Sequence, residues 1–201
     1  MEPQDAKTAK TDRALWQNCA KSLIELALDA SGHDHVYEEL CGREPQCKST
    51  TKEAFLAEYV PSKLALGCVY WVRCCANHKV AEKELKNLYF KEVMSLFESP
   101  QSLESATRFS EALYASNAVQ DHSPVLGVLI HLFQKLTLDA SLKTSEGEAD
   151  GVTPGFCFMM EVSEALKVLF EKKFEDFYYT HADLCGNFGR KCSDGTKDSS
   201  L

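Results

Sequence analysis

Four side chains with metal-binding chemistry crowd one short stretch: His33-x-His35, then Cys41 and Cys47. Two imidazoles and two thiols form a tetrahedral zinc donor set. Gly42, Pro45 and Ser49 make residues 42–50 a loop in which such ligands could converge. The six-residue step from Cys41 to Cys47 is wider than the two-to-four-residue gap of a zinc knuckle. The same residues therefore also read as loop histidines and partly buried thiols. Zinc is the metal to test, and no other cofactor is implied.

Two further groups could do chemistry. Cys74 and His78 stand four apart, on one face of a helix, the spacing of a thiol–imidazole pair or a metal site. Without a recognisable orienting acid or oxyanion donors, they read equally as a core thiol and a histidine at a helix C-terminus. His131 lies inside the apolar run Val128-Leu129-Ile130-His131-Leu132-Phe133 and reads as a core or boundary histidine. No Glu-x-x-His pair, phosphate-binding glycine loop or nucleophile elbow is present, so the chain is expected to be non-enzymatic.

Binding chemistry is the alternative. Phe170, Phe174, Phe177 and Tyr178 form the densest aromatic run, a candidate partner surface. The chain ends Ser199-Ser200-Leu201. A serine two before a C-terminal aliphatic is the pattern a PDZ domain captures by strand addition and a carboxylate pocket. Arg190-Lys191-Cys192-Ser193 has the look of a basophilic kinase site. A second reading is a carrier for a lipid or other small apolar ligand, its cavity lined by Trp71, Phe133, Phe158 and Phe170.

The elements that must position these residues are helices; no convincing strand pattern occurs. A helix from Asp12 to about Asp29 carries Leu15, Cys19 and Leu23 on one face. Val36–Leu40 adds a single turn. Thr50 and Glu53 form a capping box for a short helix that Pro61 ends, and Ser62 caps the next, to about Ala76. That helix is apolar nearly all round from Leu64 to Val72, which places it at the centre of a bundle. Gly67 within it implies close approach by a neighbouring helix.

A charged amphipathic helix follows over residues 80–98, and the cap-plus-proline pairs Ser99-Pro100, Ser123-Pro124 and Thr153-Pro154 start three more. The expected architecture is all-α, an irregular bundle of about seven helices, with stacked helical hairpins as the alternative. A single domain over 12–185, containing an acidic loop at 143–155, is expected between a flexible N-terminus, 1–11, and a flexible tail, 186–201.

Composition narrows the function further. Of 201 residues, 22 are Lys or Arg and 30 Asp or Glu, a net charge of −8 that argues against a nucleic-acid partner. No export signal or membrane-spanning stretch is evident, so a soluble cytoplasmic or nuclear protein is expected. There the nine cysteines stay reduced. The leading expectation is a helical adaptor that binds another protein, its identity open.

Overall fold

The computed structural model describes residues 4–80, 83–99, 102–118, 123–137 and 153–181. Among these are eight α-helices and no strand: α1 (Gln4–Leu28), α2 (His33–Arg43), α3 (Lys52–Asn77), α4 (Lys83–Lys86), α5 (Leu88–Ser95), α6 (Leu103–Ala118), α7 (Pro124–Thr137) and α8 (Pro154–Thr180). A short 3-10 helix, Pro45–Ser49, links α2 to α3. The all-α expectation is met, with α3 at the centre. It packs against α1, α5, α6, α7 and α8, and from Leu64 to Cys68 every residue is buried. No helix among the described residues is long and apolar enough to cross a membrane.

The buried faces follow the predicted periodicity. Trp16, Cys19, Ala20, Leu23 and Ala27 of α1 turn inward, as do Val128, Leu129, Leu132, Phe133 and Leu136 of α7. Thr153 caps α8, accepting the Phe156 N–H at 3.2 Å, with Pro154 at its first position. Gly67 has the close neighbour its sequence position implied: a Cβ there would lie 2.1 Å from the Tyr89 hydroxyl of α5.

Five boundaries differ. The first helix begins at Gln4, well before Asp12. His33–Arg43 makes three turns where one was expected, and α4 and α5 replace a single helix over residues 80–98. Pro61 does not end a helix: α3 runs through it. Proline removes its own N–H, leaving the Ala57 carbonyl without its helical donor, and crowds that carbonyl with its ring. Both flanks are meanwhile fixed by packing. Phe55 and Tyr59 stack at 4.9 Å before it, and Leu64 and Leu66 are buried after it. Thr51, not Thr50, caps α3, accepting the Ala54 N–H, while the Thr50 hydroxyl donates to the Leu136 carbonyl of α7.

Candidate functional site

The four residues of the expected zinc cluster are not brought together. His33 is buried with its Nε2 3.2 Å from Lys63 Nζ, whereas His35 is exposed. Cys41 Sγ donates to the Cys47 carbonyl, and the Cys47 thiol is buried and pushed up to about 11 by that burial. Among the described residues, no group of three or more His, Cys, Asp or Glu could hold a metal ion. The ammonium beside His33 occupies the place a cation would need.

Cys74 and His78 are not a reactive pair either. Burial pushes the Cys74 thiol up to about 12, the reverse of what a thiolate nucleophile needs. His78 sits at the C-cap of α3, its ring 4.5 Å from Tyr178 and 5.5 Å from Phe174. His131 is half-buried on α7, and its Nε2 has no hydrogen-bond partner among the described residues.

The aromatic run on α8 divides. Phe170 and Phe174 are fully buried and present no surface; they are core, against Tyr70, Trp71 and Trp16. Phe177 is half-buried on Trp16, and Tyr178 half-buried on His78. Ser199, Leu201, Ser193 and most of the acidic loop lie outside the described residues. Of the four side chains expected to line a cavity, Trp71 lines the cleft described below, and the other three are buried in the core. Phe133 and Phe158 are buried near the start of α8, Phe133 packing on Phe156 and Phe158 under the Arg43 guanidinium.

A cleft lies elsewhere, between α3, the α4–α5 junction, α6 and the start of α7, with a volume of about 580 Å³. Trp71 and Tyr89, both fully buried, form its floor. Trp71 is fixed there because its indole N–H donates to the Leu85 carbonyl at 2.8 Å. The wall on α3 is Val69, Val72 and Ala76, spaced i, i+3, i+7 as one face of a helix. Facing it are Phe90, Leu113 and Val125. Val72 is 49% exposed and Phe90 39%, so apolar area that a core would cover stands open at one place.

The polar groups of the cleft have one sign. Arg73 and Lys86 line it, and among the described residues no Asp or Glu does. Arg73 reaches Glu171 of α8 at 4.0 Å. Lys86, half-buried, forms no ion pair among the described residues. In a chain of net charge −8 this local cationic balance is against the average. Asn87, Asn117 and Ser123 supply neutral hydrogen-bonding groups at the rim.

The fold and the cleft define an all-α protein with an amphipathic recess. No family model matches the chain, and no significant match to it occurs among curated proteins or solved structures.

The sequence reading missed Tyr89, Phe90, Lys86, Leu113 and Val125. They come from three separated segments, and no motif joins them. One signal was on the page. A helix without a polar face must be covered on every side, and α3 has an edge that is not.

Proposed function

We propose that the protein is a non-enzymatic binding module whose cleft holds an amphipathic acid, with an acyl-like body and a single anionic head. The uncovered apolar edge Val69–Val72–Ala76 of α3, facing Phe90 and Leu113 across the cleft, carries this reading. A volume of about 580 Å³ suits a small organic ligand, within the range of about 300–1,000 Å³ for such sites. The head group follows from charge. Lys86, without an ion pair among the described residues, offers a cation, and Arg73, 4.0 Å from Glu171, adds positive charge beside it. The carrier reading thus keeps Trp71 and takes its other walls from α5, α6 and α7.

Decanoate is the probe, titrated against tryptophan fluorescence, since Trp71 is the cleft floor. The expected result is saturable binding of decanoate and none of decylamine, whose head has the wrong sign. Leu113→Trp, which fills the cleft, should abolish binding. Lys86→Met should weaken it by about two- to fivefold, the scale of a half-exposed ion pair. Equal binding of decanoate and decylamine, or binding indifferent to Leu113→Trp, overturns the proposal. No decanoate binding, with a protein partner whose capture Leu113→Trp abolishes, would return the function to an adaptor.

A further inference from the structure

A second and independent recess lies where the turn between α1 and α2 meets α3 and α8, with a volume of about 190 Å³. Leu26, Val36, Leu166 and Leu169 give it apolar walls, the last 53% exposed at the mouth, and Asp29 and Lys63 line it as well. Gly32 borders it at φ +147, a backbone conformation that suits only glycine, and a Cβ there would meet nothing within 4 Å.

Inside this apolar recess sits an ammonium. Lys63 is 8% exposed. Its Nζ donates to the Asp29 carbonyl at 3.1 Å and lies 3.2 Å from His33 Nε2. An ammonium can only donate, so Nε2 accepts and the imidazole proton is on Nδ1. The low His33 pKa agrees with a neutral ring: burial holds it down, and the Lys63 charge adds to that. The nearby Asp29 carboxylate is turned to Ser31, accepting its N–H at 3.0 Å and its hydroxyl at 2.6 Å. The cation is therefore buried without an ion-paired carboxylate. The third of its N–H donors has no acceptor among the described residues.

A buried ammonium that meets the Asp29 charge only from beyond ion-pair distance, with the Tyr59 ring 5.6 Å from Nζ, is an expensive arrangement for a core. At the neighbouring position, α2 opens with no side-chain cap on its first turn. We propose that this recess binds the anion of a small apolar carboxylic acid, its carboxylate on Lys63 and its short chain among Leu26, Val36, Leu166 and Leu169. The volume lies below the range of about 300 Å³ upward that drug-sized ligands occupy, which limits the chain to a short one. Length separates this ligand from the larger occupant of the cleft.

Calorimetric titration with hexanoate tests it on the full chain. The expected result is saturable binding that falls by about tenfold or more in Lys63→Met and for hexanamide, the neutral isostere, against wild type with hexanoate. Because the larger cleft would also admit hexanoate, the titrations are repeated in Leu113→Trp, which fills it; the Lys63-dependent heat should persist there, which separates failure here from failure in the cleft. Hexanoate binding that survives Lys63→Met, hexanamide binding as tightly as hexanoate, or no saturable heat at millimolar hexanoate overturns the proposal. Should Lys63→Met fail to fold, the His33 imidazole resonances of the unmodified chain serve instead. A saturable shift on adding hexanoate supports the site, and binding without any shift refutes it.

Discussion

Removing one oxygen should make this protein more stable. The Tyr89 ring is fully buried, 6.1 Å from Trp71 and 5.7 Å from Phe170, and its hydroxyl has no hydrogen-bond partner among the described residues. A buried unsatisfied hydroxyl costs about 1–3 kcal/mol. Tyr89→Phe deletes it and keeps the ring contacts, so a gain of about 1–2 kcal/mol is expected. Gly67→Ala probes the same spot from the other side. Its new Cβ would stand 2.1 Å from the hydroxyl oxygen and 2.7 Å from Cζ. Overpacking of that kind costs about 1–3 kcal/mol. Glycine to alanine in a helix returns about 1 kcal/mol. Moving Tyr89 away would cost its contacts with Trp71 and Phe170, so the clash wins and Gly67→Ala is destabilising. In the Tyr89→Phe background the 2.1 Å contact disappears while the 2.7 Å contact stays. The alanine then costs less but not nothing, with a coupling of about 0.5–3 kcal/mol between the two sites. Equilibrium urea unfolding of the four variants measures this. Each kcal/mol moves the Tm of a chain this long by about 2–4 °C. Tyr89→Phe less stable than wild type would refute the reasoning, since the hydroxyl would then have a partner. Strict additivity would refute the contact itself.

Three other outcomes are expected. Glu44 is buried with its Oε1 accepting the Gly155 N–H at 2.9 Å in the first turn of α8, so Glu44→Ala should lose about 1–2 kcal/mol in urea unfolding. Between pH 7.5 and 5.5, unfolding free energy should fall with acid. Burial, then a neighbouring lysine, holds His33 and His131 below the ordinary histidine value of 6.5, so the unfolded chain takes up protons first and stability is lost as pH drops through that value. The lowered Asp29 and Glu111 act only at and below their ordinary values of 3.8 and 4.5, so His131→Leu should flatten the upper part of the profile, and an unchanged slope would contradict this. Iodoacetamide on the native protein should modify the exposed Cys157 before Cys68, Cys74 or Cys75, whose thiols burial pushes up; peptide mass mapping reads the order.

The helices were legible where local chemistry and tertiary packing agree. Thr153-Pro154 capped and started α8 as its residue types require, and Gly67 met the close neighbour that a glycine inside a buried helix implies. Local rules failed at Pro61. A proline signal alone marks a helix end, but Phe55, Tyr59, Leu64 and Leu66 on its two sides bury into one core and hold the helix through it. The zinc expectation failed for a related reason. A loop was assumed at residues 42–50 so that four ligands could converge, yet three turns of α2 and a 3-10 helix fix His33 inward and leave His35 exposed.

Both recesses had traces in the sequence, and both traces were charge or polarity set against helical register. Lys63 stands in line with Tyr59, Leu66 and Tyr70 at offsets of 4, 3 and 7, all buried, so its register already put an ammonium on the inner face of α3. The cleft left the opposite trace. Leu64 to Val72 carries no polar face, and a helix apolar all round demands cover on all sides. The bundle supplies that cover everywhere except along Val69, Val72 and Ala76, where α5 and α6 stand off and Lys86 and Arg73 flank the opening. A packing failure would be filled by a larger side chain at one of these positions or closed by collapse of Phe90 onto α3. Instead Phe90 is 39% exposed across an open space of about 580 Å³, and the groups at its edge carry charge opposite to the chain's net charge. Apolar walls with cations at the mouth are what an amphipathic acid requires, and covering that edge of α3 is what such a ligand would contribute to the fold. Ligand binding and thermal stability should therefore rise together, and decanoate binding that leaves Tm unchanged would break the link between them.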